Sequence, residues 1–188
     1  MSFPGIPSLD AAVMAFIQTH FHNTVTDTVF PIITSLGEAG IGWIVLSLVL
    51  LCFKKTRRTG GLVLIAMTVT LLFGELTLKN IICRLRPCNV FTDFPMLIAR
   101  PASYSFPSGH TSSSFAAALI LTLRHKKVGW LAYIPAVLIA FSRIFLFVHY
   151  PTDVLAGILL GTLAALLTYF AAKAIQKRQA EKRTAQKA

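Results

Sequence analysis

The sequence predicts an all-α fold, a polytopic bundle of transmembrane helices. Hydrophobic residues make up 55% of the 188 residues and charged residues only 13%, whereas about a quarter of the residues in a soluble domain are charged. Several apolar windows approach the length of about 20 residues that a helix needs to cross a bilayer. The basic residues are grouped between these windows. Composition and patterning together therefore exclude a soluble protein and place the chain in a lipid bilayer.

The N-terminal segment is amphipathic instead of continuously apolar. Apolar side chains recur there at helical spacing, at Leu9, Val13, Phe16 and Ile17. This pattern predicts a helix with one apolar face, which lies in the membrane interface more readily than it crosses the bilayer. The segment also lacks the basic start and continuous apolar core of a cleavable signal peptide. We therefore expect an N-terminal interfacial helix before the first crossing.

Five apolar windows follow this segment. They cover residues 41–53, 60–77, 112–123, 128–147 and 154–172. We expect five crossings; the alternative of six requires residues 26–37, which Pro31 interrupts, to enter the bilayer as well. The predicted organisation is an N-terminal segment at 1–38, a helical bundle at 39–172 and a basic cytoplasmic tail at 173–188.

The position of the basic residues explains the net charge of +11. Thirteen of the eighteen lysines and arginines lie at 54–58, at 124–127 or after residue 172. These segments share one side of the membrane if every window crosses once, and the positive-inside rule makes that side the cytoplasm. The charge thus indicates contact with anionic headgroups and no nucleic-acid partner. The other cations lie at the extracytoplasmic face and need another explanation: Lys79, Arg84, Arg86, Arg100 and Arg143.

The three cysteines do not make a disulfide framework. Cys52 falls inside an apolar window, as a buried thiol would. Cys83 and Cys88 are five residues apart on the extracytoplasmic side, and we expect free thiols there, with a local disulfide as the alternative. No pair of cysteines or histidines has the spacing of a zinc site. We expect neither a metal nor a cofactor.

The first polar cluster at the end of a window is the run KNIICRLRP, from Lys79 to Pro87. Ionisable groups near a bilayer cost free energy, so they are functional candidates. Lys79 and Arg86 are seven residues apart, which would put both on one helix face about two turns apart. They could then converge on one anion. The alternative is a pair of cations that reach towards the headgroups.

The second cluster, SFPSGHTSSS, opens the third window. Pro107 suits a first helical turn, and Ser108 and Gly109 follow with backbone N–H groups that have no partner inside the helix. A helix start with free amides binds phosphate readily. His110 is placed to give a proton to a group held there. The alternative is a polar helix cap with an incidental histidine.

The third cluster is SRIFLFVHYPTD, between the last two windows. Pro151 ends one helix and begins the next, so it holds His149 at a corner. Asp153 is close enough to accept a hydrogen bond from one imidazole nitrogen and leave the other free for nucleophilic attack. Arg143 adds donors that match phosphate oxygens. The alternative is a buried structural Asp–His pair.

All three clusters fall at extracytoplasmic ends of windows, so the sequence predicts a phosphoryl-transfer site. Such a reaction requires cations for the phosphate oxygens, a nucleophile, and an acid for the leaving oxygen. The cations are Lys79, Arg86 and Arg143. His149 would attack phosphorus, and His110 would protonate the leaving group and then activate water. Besides Asp153 only Glu75 and Asp93 are expected nearby, too few acids for a magnesium cage.

The chain resembles the type 2 phosphatidic acid phosphatase superfamily, whose signature reads KxxxxxxRP, PSGH and SRxxxxxHxxxD. The three motifs match Lys79–Pro87, Pro107–His110 and Ser142–Asp153. The resemblance implies a helical bundle with an extracytoplasmic site and metal-independent hydrolysis. It also implies that Ser108 and Gly109 contact the phosphate.

Within that superfamily the chain is most similar to small bacterial enzymes that act on undecaprenyl diphosphate, because it is short and continues His149 as HYPTDV. The expected partner is therefore a phosphorylated lipid, with phosphatidylglycerol phosphate or phosphatidic acid as alternative substrates. Two other functions are a lipid phosphotransferase, which passes the phosphate to a hydroxyl instead of water, and a non-catalytic membrane protein. The intact His110, His149 and Asp153 argue against the latter. The sequence leaves the oligomeric state open.

Overall fold

The computed structural model describes residues 3–186, and this range contains nine α-helices. They are α1 Ser8–His20, α2 Thr24–Leu36, α3 Ile41–Cys52, α4 Arg57–Thr70, α5 Lys79–Ile82, α6 Pro87–Val90, α7 Gly109–Arg124, α8 Tyr133–Phe145 and α9 Pro151–Ala185. A π-helical stretch at Leu71–Leu78 joins α4 to α5, and 3₁₀ turns at Glu38–Gly40 and Gly129–Ala132 precede α3 and α8. Each predicted window lies on one helical stretch apart from at most two residues at either end, and α9 continues past the last window, which ends at residue 172, into the basic tail.

Two of the described helical stretches are long and apolar enough to cross a membrane. They are Arg57–Val90 and Pro151–Ala185. The pair Thr24–Leu36 and Glu38–Cys52, bent by 45°, adds a third if it forms one span. The apolar stretch Gly129–Phe145 is shorter. The fold is thus helical and typical of a membrane protein, while the count of five or six crossings stays a prediction.

Helix α7 is the central helix of the bundle and packs against α4, α8 and α9. Most of its residues are buried, including the polar Thr111, Ser112 and Ser114. Trp43 of α3 donates a hydrogen bond from Nε1 to Ser114 Oγ at 2.8 Å. Because other helices surround α7, its hydroxyl groups do not face lipid. This position explains how a polar helix of 16 residues fits into an apolar protein.

Helices α7 and α9 approach each other closely at Gly157 and Gly161 of α9. A Cβ atom at Gly161 would lie 2.3 Å from the carbonyl oxygen of Ser112, and one at Gly157 would lie 2.7 Å from that of Ser108. Small residues four apart allow membrane helices to pack backbone against backbone. The contact sets the start of α7, which is the second predicted cluster, against the first turns of α9.

Helix α1 contacts α8 and α9 through a partly polar face. Its buried residues are Asp10, Met14, Ile17 and Gln18. Gln18 donates from Nε2 to the carbonyl oxygens of Ile144 and Phe145, at 3.3 and 3.0 Å. Leu9 and Phe16, in contrast, are 58% and 56% exposed. The apolar stripe seen in the sequence is therefore divided between the protein and its surroundings, and the interfacial location of α1 stays a prediction.

The chain leaves the helix inside the first predicted cluster. Helix α5 ends at Ile82, and Cys83 has a φ of 50°, in the left-handed region. Arg86 lies beyond this break with extended backbone angles. The prediction that Lys79 and Arg86 share one helix face is therefore wrong, because a residue with positive φ does not continue a right-handed helix. Cys83 is exposed and Cys88 is buried, and both are free thiols, so the alternative disulfide is absent.

Candidate active site

The three predicted clusters meet around one cavity of about 770 Å³. Its polar wall includes Glu38, Glu75, Lys79, Arg86, Ser103, Gly109, His110, Arg143 and His149. Ser108 and Asp153, also predicted as site residues, are buried and do not line the cavity. They stand together behind it, since the Ser108 amide donates to the Asp153 carbonyl oxygen at 3.1 Å. Six of the eight predicted site residues therefore line one cavity. The other two, Ser108 and Asp153, lie behind its wall.

His149 is held at a corner between α8 and α9. Helix α8 ends at Phe145, Phe147 has a φ of 59°, and Pro151 opens α9. The amides of Val148 and His149 both donate to the carbonyl oxygen of Arg143 at 3.2 Å. The backbone therefore folds back over the end of α8, and these hydrogen bonds fix the position of the His149 backbone.

The two ring nitrogens of His149 have different partners. Nδ1 lies 3.4 Å from Asp153 Oδ2, and Nε2 accepts a hydrogen bond from Arg86 Nη1 at 2.9 Å. Because a guanidinium only donates, the proton of a neutral ring must reside on Nδ1, facing the carboxylate. The Tyr150 amide donates to the same Asp153 oxygen at 2.9 Å. The Nε2 lone pair is therefore engaged by Arg86, which must release it before the ring can act as a nucleophile.

Arg86 and Lys79 converge through the loop residue Ser103 and not through a common helix face. Arg86 donates from Nε to the Ser103 carbonyl oxygen at 2.7 Å and from Nη2 to its hydroxyl at 2.9 Å. Lys79 Nζ lies 3.5 Å from the same hydroxyl and 2.8 Å from a carboxylate oxygen of Glu75. Nη1 of Arg86 also donates to the Val148 carbonyl oxygen at 2.8 Å. Both cations are consequently fixed beside His149.

Arg143 completes the set of cations from α8. Its side chain is buried and donates from Nη1 to Thr34 Oγ1 of α2. Its Nε is buried and has no hydrogen-bond partner within residues 3–186. The cavity therefore has three buried cations, Lys79, Arg86 and Arg143, and buried cations without enough carboxylate partners favour an anion.

The start of α7 also lines this cavity. Ser108 caps the helix, since its hydroxyl oxygen accepts from the Thr111 amide at 3.4 Å and from the Thr111 hydroxyl at 2.9 Å. A Cβ at Gly109 would lie 2.1 Å from Glu75 Oε1, so a larger residue there would displace that carboxylate. His110 Nε2 lies 3.5 Å from Glu38 Oε2. Gly109 and His110 therefore line the cavity, while Ser108 does not.

Several residues near the site gave no signal in the sequence. Glu38 and Ser103 line the cavity, although their sequence context is an ordinary turn and an ordinary loop. Asp93, expected near the site, lines a separate hollow with aromatic side chains. Arg100 donates to the carbonyl oxygens of Cys88, Thr92 and Phe94, and so it holds the loop together instead of facing the cavity. In residues 3–186, no group of three His, Cys, Asp or Glu side chains is arranged to hold a metal ion.

Comparison with known proteins identifies the family of this chain. A sequence model of the PAP2 superfamily matches residues 59–177, which contain all three motifs. The chain belongs to the PAP2 superfamily. This result confirms the resemblance drawn from the motifs.

Two relatives in the PAP2 superfamily carry names that describe an activity. The undecaprenyl-diphosphatase of Sulfolobus acidocaldarius is 38% identical over 127 residues, which are 67% of this chain and 61% of that protein. The undecaprenyl-diphosphatase BcrC of Bacillus subtilis is 31% identical over 157 residues, which are 79% of this chain and 76% of that protein. The match with the Sulfolobus protein thus spans less than two thirds of its length.

Solved structures of PAP2 proteins share the fold. The PAP2-type phosphatidylglycerolphosphate phosphatase of Bacillus subtilis has a TM-score of 0.73 and 29% identity, and the match covers 92% of this chain and 89% of that one. LpxE of Aquifex aeolicus has a TM-score of 0.76 with 24% identity, covering 90% of this chain and 99% of that one. The second likeness supports the fold alone.

Proposed function

We propose that the protein hydrolyses undecaprenyl diphosphate to undecaprenyl phosphate and phosphate through a phosphohistidine on His149. The observation that carries this proposal is the convergence of His149, His110 and three cations on one cavity. The proposed reaction has no step that requires a metal ion, because lysine and arginine side chains supply the positive charge. The reaction proceeds in two displacements at the terminal phosphorus.

In the first displacement, Nε2 of His149 attacks the terminal phosphorus and the bond from phosphorus to the bridging oxygen breaks. The electron pair of that bond goes to the leaving lipid phosphate, which takes a proton from His110. Asp153 accepts a hydrogen bond from Nδ1 and so stabilises the ring as it becomes cationic. The negative charge of the bound phosphate favours the protonated form of His110 that this step needs.

In the second displacement, water attacks the phosphohistidine and His110 takes the proton of the water. The nitrogen–phosphorus bond breaks, the lone pair returns to Nε2, and phosphate leaves. Lys79, Arg86 and Arg143 stabilise the charge on the equatorial oxygens in both displacements, together with the amides at the start of α7. Lys79 must exchange its contact with Glu75 for one with phosphate, since Nζ lies 2.8 Å from that carboxylate.

The shape of the cavity supports a lipid substrate. Beyond its polar wall the same cavity is lined by apolar side chains of α3, α4 and the π-helical stretch, at Ile44, Leu64, Met67 and Leu71. A headgroup at the cations would leave its lipid tail against this apolar wall. Undecaprenyl diphosphate is favoured over other lipids because it appears in the names of two relatives.

The site is proposed to face the extracytoplasmic side, with the C-terminus in the cytoplasm. His110 and Arg124 stand at opposite ends of α7, and the basic segments meet at the Arg124 end, where Thr59 Oγ1 lies 3.0 Å from His125 Nε2. The positive-inside rule assigns the end with the basic segments to the cytoplasm. The cavity then opens on the other side.

A second candidate substrate is phosphatidylglycerol phosphate. The observation that favours it is the 29% identity, over 92% of this chain, with a phosphatidylglycerolphosphate phosphatase of known structure. The two displacements would be the same, with a glycerol oxygen as the leaving group. Only the fit of the leaving group distinguishes the two substrates.

The first test is phosphate release by the full-length protein in detergent, with excess EDTA. Undecaprenyl diphosphate, phosphatidylglycerol phosphate and phosphatidic acid are compared, and His149→Ala serves as the inactive variant. His20→Ala, a change at an exposed histidine of α1, is the matched control. Release that resists EDTA, persists in His20→Ala and disappears in His149→Ala supports the proposal. Turnover by His149→Ala would overturn it, and no release by the wild type would move the assignment to a phosphotransferase.

A further inference from the structure

A second charged cluster lies behind His149, outside the cavity. It consists of Asp10 from α1, Arg84 from the loop after α5, and Thr152 and Asp153 from the first turn of α9. None of these residues lines the cavity. The phosphoryl-transfer steps assign a role only to Asp153. The other residues of the cluster therefore need an explanation of their own.

Arg84 connects the two carboxylates of this cluster. Its Nη1 donates to Asp153 Oδ1 and to Thr152 Oγ1, each at 2.7 Å, and its Nη2 donates to Asp10 Oδ2 at 2.7 Å. The guanidinium carbon lies 3.8 Å above the centre of the Tyr150 ring. A guanidinium held at both ends and against one face has little freedom to turn.

Asp10 accepts three hydrogen bonds within this cluster. Its two oxygens accept from the Thr152 amide at 2.9 Å and from the Thr152 hydroxyl at 2.7 Å, in addition to the bond from Arg84. Asp10 and Asp153 both have 0% exposure. Buried carboxylates are costly unless they are paired, and here one guanidinium serves both.

The two oxygens of Asp153 therefore have different partners. Oδ1 is bound to Arg84, and Oδ2 accepts from the Tyr150 amide and faces Nδ1 of His149 at 3.4 Å. If Oδ1 were released, the carboxylate could rotate about its χ2 torsion and turn Oδ2 away from the imidazole. The direction of His149 thus depends on a residue that is two contacts away.

We propose that Asp10 and Arg84 are positioning residues for the His149–Asp153 pair, so that helix α1 takes part in setting up the nucleophile. The inference rests on the proposed function of His149. Arg84 fixes Asp153, and Asp10 fixes Arg84 while balancing its charge. Neither residue reaches the substrate, so their contribution falls on the rate of the chemical step and not on lipid binding.

The cleanest test is Asp10→Asn, because the amide has the size of the carboxylate and can still accept from the Thr152 amide. We expect kcat for undecaprenyl diphosphate to fall about tenfold, as for outer partners of a functional histidine, with KM changed by less than about twofold. The matched control is Asp27→Asn, which removes another carboxylate of the N-terminal region, 2.7 Å from His22 and away from the cavity. A kcat of Asp10→Asn equal to that of Asp27→Asn would overturn the proposal.

A double substitution separates positioning from a general effect on folding. If Asp10 acts through Asp153, then Asp10→Asn should cause no further loss of kcat in an Asp153→Asn background. Effects that multiply would contradict the proposal. Arg84→Lys should retain more kcat than Arg84→Gln, since it keeps a cation between the two carboxylates. Equal losses in both Arg84 variants at equal thermal stability would also contradict it.

Binding of orthovanadate gives a measurement that does not depend on turnover. Vanadate mimics the five-coordinate phosphorus, so its affinity reports how well His149 is aimed. We expect several-fold weaker binding by Asp10→Asn and unchanged binding by Asp27→Asn. If the wild type releases no phosphate from any lipid but binds vanadate, the proposed function fails while this inference is still decided by the two affinities. A wild type that neither releases phosphate nor binds vanadate would overturn both.

Discussion

The two histidines of the cavity differ in how firmly the fold holds them. The side chain of His149 is 1% exposed and contacts a neighbour through each ring nitrogen. The side chain of His110 is 14% exposed, and the nearest charged group to its Nε2 is Glu38, which is itself 74% exposed. A nucleophile must point in one direction, whereas an acid that also serves as a base must exchange protons with water. The fold thus fixes His149 through contacts at both ring nitrogens and leaves Nε2 of His110, although buried, without a hydrogen-bond partner in residues 3–186.

Removing the fixed histidine should have the largest effect. His149→Ala deletes the nucleophile, so we expect kcat for undecaprenyl diphosphate to fall by at least about 10⁴-fold. The measurement is phosphate release, together with a test for covalent phosphate on the denatured protein. A phosphorylated His149→Ala protein would show that another residue is the nucleophile. Unfolding temperature in detergent, compared with that of the wild type, provides the control.

Removing the less constrained histidine should cost less and should depend on the leaving group. We expect His110→Ala to slow hydrolysis of undecaprenyl diphosphate by about 10²–10⁴-fold, because general acid catalysis is worth that much. A substrate whose leaving group needs no proton, such as p-nitrophenyl phosphate, should lose far less rate in its first displacement. Equal losses of phosphoenzyme formation with both substrates would rule out His110 as the acid.

Substitution of Arg143 tests whether the two histidines act on one phosphate. Its guanidinium lines the same cavity wall and has a buried Nε without a hydrogen-bond partner in residues 3–186. We expect Arg143→Ala to raise KM and lower kcat together, by about tenfold or more in kcat/KM, because a charge-assisted phosphate contact is lost. Steady-state kinetics with Arg124→Ala, a change at the opposite end of the bundle, is the comparison. A kcat/KM equal to that control would remove Arg143 from the site.

The smallest effect is expected at Glu38, the neighbour of His110. Glu38→Gln keeps the size of the side chain and removes the charge 3.5 Å from Nε2. The carboxylate is exposed, so solvent screens the interaction and we expect no more than about a fivefold loss of kcat. The loss should disappear in a His110→Ala background. A loss that persists there would show that Glu38 acts on the substrate directly.

Local pattern predicted much of this molecule. The apolar windows gave the positions of the helices, since helix formation in a bilayer follows from the length of the apolar run. The motif residues were placed at one site because they share a membrane side. The common helix face of Lys79 and Arg86 was wrong because Cys83, with its φ of 50°, ends the helix between them.

The contacts between residues far apart along the chain could not be predicted from the sequence. Asp10 and Thr152 are 142 residues apart along the chain, and Asp10 and Arg84 are 74 apart, yet each pair forms a hydrogen bond. An aspartate in an amphipathic helix is ordinarily a solvated residue, so nothing in its local pattern marks it as buried. Ser103 lies in an irregular loop, where no periodicity indicates which side chain turns inwards.

The glycine contact between α7 and α9 also bears on how the protein moves. Ser108 caps α7 and His110 lies in its first turn, while Asp153 belongs to α9, whose Gly157 and Gly161 pack against the backbone of Ser108 and Ser112. Close-packed backbones do not slide past each other without leaving voids. The catalytic distances are therefore expected to stay constant while a lipid arrives and departs. A change in the shape of the cavity must then come from movement of its other walls. These are the 3₁₀ turn Glu38–Gly40 and the loop that carries Pro101 and Ser103.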